Sequence, residues 1–290
     1  TGLTSITLSN SITSIGTSAF AGCTSISNVT MGTNILTLGD SAFSGSLVQN
    51  FTIPSSLTYL GTSCFQDVSM TNLTIENCNP TTLGANALKF KNTLTSLILD
   101  SSAIHQAYDF SYNTLTNLTI QSNITQVKNN AFQGCTALTS VSLSNNLLNI
   151  GKYSFNGCTS LSNIIIPNSV TFINVNAFEN CSSLSNITLS SSLNSLSNNL
   201  FKSCPNLQTL TIPSSVTNVG SSVFNACTGL KNIAIPNSVT SIGSSAFNGC
   251  STITNLSFGT AITTIGDYAF SGCSSLSSIT IPYLDDVNAV

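Results

Sequence analysis

The chain carries one histidine and ten cysteines, which are residue types suited to acid–base, nucleophilic or metal chemistry. A Ser–His–Asp or Cys–His mechanism would have to use His105, which lies between Asp100 and Asp109 along the chain. Both aspartates are expected in loops. The sequence has no C-x-x-C pair and no Gly-rich loop that opens a helix, which disfavours zinc and nucleotide binding. We therefore predict no catalytic residue, no metal site and no cofactor.

Most of the cysteines occupy one position of an internal repeat. These eight residues are Cys23, Cys135, Cys158, Cys181, Cys204, Cys227, Cys250 and Cys273. In four repeats another residue takes the same position: Ser46, Val68, Lys91 and Asn113. Stacked coils lie about 4.8 Å apart, a separation that a disulfide tolerates. Because the position is not always cysteine, we expect free, buried thiols that donate to backbone carbonyls, with a bridged ladder as the alternative.

Two further cysteines, Cys64 and Cys78, lie off this ladder and are the pair most suited to a test for a disulfide. The stretch around them, residues 76–113, is the least regular of the chain, and it also holds Lys89 and His105. One interpretation is a pair of eroded repeats whose loops bulge. The other is a binding site, because irregular loops on a rigid scaffold often carry function.

Composition restricts the partners of this protein. Of 290 residues, 41% are hydrophobic and only 5% are charged, with no arginine and no tryptophan. A net charge of −3 provides no field that would hold nucleic acid or an anionic membrane. No apolar run is long enough for a membrane span. The chain starts at Thr1 in the middle of a repeat, so we expect a mature or trimmed part of a longer array.

Phenylalanine marks the repeat most clearly. Eleven phenylalanines and one leucine follow one another at intervals of 22 or 23 residues: Phe20, Phe43, Phe65, Leu88, Phe110, Phe132, Phe155, Phe178, Phe201, Phe224, Phe247 and Phe270. A fixed period of this length indicates a solenoid, in which each unit buries its apolar face against its neighbours.

Within each repeat, apolar residues at i and i+2, such as Ile233 and Ile235, predict a half-buried strand. A glycine further along, such as Gly243, predicts a tight turn. Stacking one strand per coil builds a parallel sheet. The sequence therefore predicts an all-parallel solenoid of about twelve coils with little helix over residues 1–281, followed by a non-repeat tail over residues 282–290.

The stretch Leu230–Cys250 follows the pattern L-x-x-I-x-I-P-x-S-V-x-x-I-G-x-x-A-F-x-x-C. This pattern resembles the BspA-like class of leucine-rich repeats, and the resemblance extends over essentially residues 1–281. It implies a leucine-rich-repeat solenoid that is exposed at a cell surface or secreted, and a role in adhesion or protein binding. The family has no shared catalytic residues to carry over, so the resemblance implies no enzymatic activity.

The outward polar residues include possible N-glycosylation sites. Asn-x-Ser/Thr sequons, which are N-glycosylation acceptors in a secretory context, occur at Asn28, Asn50, Asn72, Asn117, Asn123, Asn180, Asn186 and Asn255. This number is no excess for a chain so rich in Asn, Ser and Thr. Threonine is also frequent at the outward mid-strand position, where an ordinary solvated sheet face explains it more simply than ice binding does.

The sequence leaves two functions open. The first is an extracellular structural protein whose copies stack end to end into a fibril, since few charges block pairing at the ends of the array. Its partners would be copies of itself, and glycans or Ser, Thr and Asn would coat its sides. The alternative is a monomeric surface adhesin that binds a glycan or a surface protein through the concave sheet face.

Overall fold

The computed structural model describes residues 2–281, and the fold is a parallel β-solenoid of about eleven turns with almost no helix. The predicted fold class is confirmed. The chain divides into two compact units, the first comprising Thr1–Thr125 with Ser140–Asn146 and the second Gln126–Thr139 with Leu147–Val290. The predicted non-repeat tail and its boundary at residue 282 lie outside the described residues.

The strands are short and regularly spaced. In chain order they are β1 Ser5–Thr7, β2 Ser14–Ile15, β3 Asn28–Thr30, β4 Thr37–Leu38, β5 Asn50–Ile53, β6 Tyr59–Leu60, β7 Asn72–Ile75, β8 Thr82–Leu83, β9 Ser96–Leu99, β10 Asn117–Ile120, β11 Gln126–Val127, β12 Ser140–Ser142, β13 Asn149–Ile150, β14 Asn163–Ile165, β15 Phe172–Ile173, β16 Asn186–Thr188, β17 Ser195–Leu196, β18 Asn218–Val219, β19 Asn232–Ala234, β20 Ser241–Ile242, β21 Asn255–Ser257 and β22 Thr264–Ile265. A six-residue helix, α1, spans Ser102–Ala107.

In the first unit, seven strands form one parallel sheet in the order β1-β3-β5-β7-β9-β10-β12. The register places equivalent residues of neighbouring coils opposite each other, as Asn50 lies opposite Asn72. A second parallel sheet, β2-β4-β6-β8, runs through the same coils. The repeat pattern did not predict these two-residue strands. They form where an outward polar residue precedes a buried apolar one, as in Ser14 and Ile15.

In most coils a longer strand, called here the first strand, is followed by a two-residue strand. In the second unit, the sheet that the first strands form is interrupted. β14 pairs with β16 and β19 pairs with β21, but the coil between β16 and β19 contributes only one isolated bridge, from Thr209 to Asn232. The alternation of Leu210 and Ile212 predicts a strand that the structure does not form. The two-residue strands form the sheets β11-β13-β15 and β17-β18-β20-β22.

The core of each unit is a phenylalanine ladder. Nine of the eleven predicted phenylalanines are fully buried, and Phe20 and Phe270 are half-buried. Along Phe20–Phe43–Phe65 and from Phe132 to Phe270, the rings of adjacent coils stack with centroid separations of 5.1–6.0 Å. Leu88, which stands in for phenylalanine in one coil of the first unit, is buried as well. A large apolar side chain at every period therefore fills each core.

Gly243 has a role that differs from the predicted turn. Its φ angle is not in the left-handed region, but an added Cβ would lie 2.5 Å from Gly220 C and from Ser221 N of the preceding coil. Such separations do not occur between real atoms, so the position needs glycine because two backbones approach closely. The left-handed residue of this turn is Ser245, with φ 56°.

Candidate functional site

The irregular stretch holds the single histidine at the only helix of the described residues. Ser101 caps α1 by accepting from the Ile104 backbone N–H at 3.2 Å, and its hydroxyl donates to the Cys78 carbonyl at 2.7 Å. His105, one turn later, is fully buried. The Ser101 cap thus connects the helix to Cys78 of the preceding coil. His105 lies in the core and not at a surface cleft.

The two aspartates on either side of the helix accept hydrogen bonds from structural partners. Asp100 accepts from the Asn123 backbone N–H at 3.0 Å and from its side-chain amide at 2.9 Å. Asp109 accepts from the Ser111 backbone N–H at 2.9 Å. Asp100 thus links its coil to the following one, and Asp109 holds a turn. Within residues 2–281, no three His, Cys, Asp or Glu side chains converge in a way that could hold a metal ion.

A groove of about 410 Å³ does lie beside α1, lined in part by Lys89, Tyr108 and Asp109. The Tyr108 hydroxyl donates to the Gly84 carbonyl at 2.8 Å, and partial burial raises the pKa of Tyr108 to about 12. Lys89 and Asp109 are exposed. Of the residues that the sequence groups in this stretch, only Lys89 and Asp109 line one groove, while Cys78 and His105 are buried.

The thiol ladder makes one repeated hydrogen bond. In the second unit each of six cysteines donates its S–H to the carbonyl of the phenylalanine 26 residues earlier, with Sγ···O separations of 3.0–3.3 Å. The six donors are Cys158, Cys181, Cys204, Cys227, Cys250 and Cys273. The phenylalanine ladder and the thiol ladder are therefore linked at each of these steps, a connection that sequence spacing did not reveal.

All ten cysteines are free in the structure, including Cys64 and Cys78. Burial is the main cause that raises the pKa of the ladder thiols, such as Cys181 and Cys204, and the neighbouring thiol adds to the rise. Burial also raises the pKa of Cys64 to about 12. Since the thiolate is the nucleophile and the metal ligand, these thiols are poor candidates for chemistry.

The sequon asparagines are all exposed, and six of the eight begin a first strand. Some also bond to each other along the sheet. The Asn72 side-chain amide donates to the Asn50 side-chain oxygen at 2.5 Å, and Asn50 donates in turn to Asn28 at 3.3 Å. In the second unit, Asn255 donates to Asn232 at 2.9 Å. Glycosylation of these residues remains a prediction.

The interrupted sheet of the second unit is bordered by two grooves on its outward face. One of about 460 Å³ lies between residues 186–191 and 209–214, and one of about 730 Å³ extends from residue 209 to residue 280. They share Thr209, Leu210 and Thr211. The sequence prediction missed this site. The available signal was Pro205, which follows the ladder cysteine where every other repeat with that cysteine has Thr or Ser.

Parallel strands stacked coil on coil, a buried phenylalanine in almost every coil and a repeat of 22 or 23 residues define a leucine-rich-repeat solenoid. The model of the BspA type leucine rich repeat region matches residues 1–107, 103–231 and 194–288 in six copies. The chain belongs to this family, as its sequence pattern predicted. In the described part, no helix has the length and apolar character needed to cross a membrane.

Solved structures agree with this assignment. A leucine rich repeat protein of T. pallidum shares 30% identity over 56% of this chain and 78% of its own, with a TM-score of 0.53. A leucine-rich repeat protein from Eubacterium ventriosum, at 24% identity, covers 96% of this chain and 78% of its own, with a TM-score of 0.56. One from Bacteroides ovatus, at 21%, covers 94% and 77%, also at 0.56. A comparison with curated proteins finds no match.

Proposed function

We propose that this chain is a non-catalytic scaffold, exposed at a cell surface or secreted, that binds a macromolecular ligand through the outward face of the first strands in its second unit. The observation that carries the proposal is the pair of adjoining grooves that meet at residues 209–211, in a coil that forms no first strand. Concave sites on rigid scaffolds are where ligands bind. Family membership and the buried, protonated thiols support a role in binding over one in catalysis.

The test is to immobilise the whole 290-residue chain and measure binding of purified extracellular matrix proteins and polysaccharides by biolayer interferometry. Hydrogen exchange of the complex then locates the bound surface. We expect protection of residues 209–211, 232–234 and 255–257. Failure of every probe to bind, or protection confined to the turns that carry Ser245 and its equivalents, would refute the proposal.

The second candidate is the fibril of end-stacked copies, and one observation favours it. Only 5% of the residues are charged, so few charges would oppose pairing between apolar coil residues such as Leu3 and Ile12 and those of another copy. An apolar coil face with an unpaired strand edge is a template for another copy. Glycans on the sequons would coat the sides of such a fibril.

Light scattering and negative-stain electron microscopy of the purified chain separate the two candidates. A fibril predicts particles that lengthen with concentration, and the double substitution Leu3→Lys and Ile12→Lys should abolish their growth by placing charge on the stacking face. A stable monomer at high concentration would exclude the fibril and leave the binding scaffold.

A further inference from the structure

The strand interruption at residues 209–212 coincides with two unusual residues ahead of it, Pro205 and Asn206. In three other coils the second residue after the ladder cysteine donates its backbone N–H to the coil before, as Ser183 does to the Thr159 carbonyl at 3.2 Å. In the interrupted coil the second residue after the ladder cysteine is Asn206, which follows Pro205. Its side-chain amide donates to the Ser182 carbonyl at 2.8 Å. Thr252 makes a comparable side-chain bond to the Thr228 carbonyl, and its coil still continues into β21, so Pro205 is the feature that sets the interrupted coil apart.

The neighbouring coils are adapted to this arrangement. Gly229 lies opposite the Pro205 carbonyl, and a Cβ added to it would come within 2.3 Å of that oxygen. The equivalent position elsewhere carries Ser, Thr, Ala or Asn in most coils. In the core, the ring separations Phe178–Phe201 and Phe201–Phe224 are 6.0 and 5.8 Å, the widest among the stacked ladder pairs described. The interruption is therefore a built feature of the second unit.

The two adjoining grooves, here called the neutral groove, have a uniform lining. Among the described residues that form it, none has an ionisable side chain. Hydroxyl and amide groups dominate its outward residues, among them Thr209, Thr211, Asn232, Thr254, Asn255 and Thr280. Between them, Leu256 and Phe258 are half-buried and offer apolar surface. Both donors and acceptors are thus available without a fixed charge.

This lining matches one chemical class of ligand. Amide and hydroxyl side chains can donate to and accept from the neighbouring hydroxyls of a sugar, while apolar side chains pack against the C–H face of its ring. Asn232 and Asn255 occupy equivalent positions in two adjacent coils, about 4.8 Å apart along the stack, so neighbouring sugar units of a polymer would meet the same side chain twice. A carboxylate or sulfate in the groove would lose hydration without gaining a cationic partner.

We propose that the neutral groove binds an uncharged, hydroxyl-rich polysaccharide. This inference rests on the proposed function, because it names the ligand class for the same strand face. Residues 209–211 form the floor shared by the two halves of the groove, and Asn232 and Asn255 bind the hydroxyls along its length.

The first experiment measures binding of the whole chain to mannan, dextran and xylan, with alginate and heparin as acidic probes. We expect at least one neutral polysaccharide to bind about tenfold or more tightly than either acidic one. The substitution Asn232→Ala should weaken that binding by about tenfold, the factor expected for one lost hydrogen bond. The matched control is Asn50→Ala, which removes the same residue type from the continuous sheet of the first unit and should leave binding unchanged.

The second experiment is designed to restore the missing strand and thereby to close the groove. Pro205→Thr with Asn206→Ser gives this coil the residues of the regular repeats, so hydrogen exchange at residues 210–212 should slow and polysaccharide binding should fall by about tenfold or more. Slower exchange with unchanged binding would overturn the proposal. If the exchange does not slow, Pro205 and Asn206 do not cause the interruption, and the comparison of the Asn232 and Asn50 variants decides the site by itself.

The outcomes separate this inference from the proposed function. If matrix proteins bind the strand face but neutral polysaccharides do not compete and Asn232→Ala has no effect, the scaffold stands and the polysaccharide site is refuted. Preference for alginate or heparin would also refute it. Binding of no probe at all would refute both.

Discussion

Replacing Phe247 by alanine removes a ring from the middle of the phenylalanine ladder of the second unit. The side chain is fully buried and stacks on Phe224 at 5.1 Å and on Phe270 at 5.4 Å. Truncation of a buried phenylalanine costs about 3–5 kcal/mol through lost transfer energy and the cavity that remains. Because two stacked pairs, each worth about 0.5–1.5 kcal/mol, are lost together, we expect a value near the upper end of that range.

The damage should be local. The backbone N–H of Phe247 donates to Ala269 at 2.8 Å and its carbonyl accepts from Cys273, and the substitution leaves both groups in place. Since each coil contacts only its neighbours, native-state hydrogen exchange should show lost protection in the adjoining coils and little change further away. The control is Phe172→Ala, which truncates a phenylalanine that is 39% exposed and should cost less than about 1 kcal/mol.

Urea denaturation followed by fluorescence or circular dichroism measures the free energies, and exchange maps their location. Equal costs for the two phenylalanine variants would refute the assignment of the ladder as the main internal support. Loss of protection spread evenly over the described coils of the second unit would refute nearest-neighbour coupling.

Three further predictions follow from the glycines, the thiols and Tyr108. Gly39→Ala should destabilise the protein by about 1–3 kcal/mol, because the added Cβ would lie 2.6 Å from Gly16 C. The control Gly16→Ala, with no atom within 4 Å of its added Cβ, should be neutral. Thermal melts measure the difference, and equal melting temperatures of the two variants would contradict this prediction. The thiols Cys135–Cys273 should resist alkylation in the native protein and react fully in denaturant without reductant; protection that persists after denaturation would mean a bridged ladder. Tyr108 has a raised folded-state pKa of about 12 against an ordinary 10.0, so the stability it adds is complete below pH 10.0 and is lost as the pH rises toward 12; Tyr108→Phe should remove this part of the alkaline decline in melting temperature.

Much of the fold was predictable because its main determinants recur in the sequence. The interval between phenylalanines indicated the coil length, and alternation such as Ile233 and Ile235 indicated the first strands. Both signals are one-dimensional, and stacking converts them directly into a parallel sheet. The prediction of a strand at Leu210 and Ile212 was wrong although the alternation is intact there, and Pro205 and Asn206 are the residues that distinguish this coil from the regular repeats.

Other features depend on contacts between coils and could not be obtained from the pattern of one coil. Gly243 resembles a turn glycine in sequence, but its requirement comes from Gly220 one coil earlier. The thiol hydrogen bonds pair Cys250 with the carbonyl of Phe224, a backbone atom whose direction the sequence does not specify. The neutral groove results from the absence of a strand, which periodicity cannot indicate.

The constant offset of these inter-coil bonds also determines how such a chain can change in length. Equivalent donors and acceptors recur about 23 residues apart in β14–β16 and again in β19–β21, and the thiol bonds keep their offset of 26 residues from Cys158 to Cys273. Loss or duplication of one whole repeat therefore gives each remaining donor an equivalent acceptor, whereas a gain of two or three residues in a strand shifts every bond of that coil. Recombination between similar repeats can accordingly vary the number of coils in a lineage while each surviving coil keeps its fold.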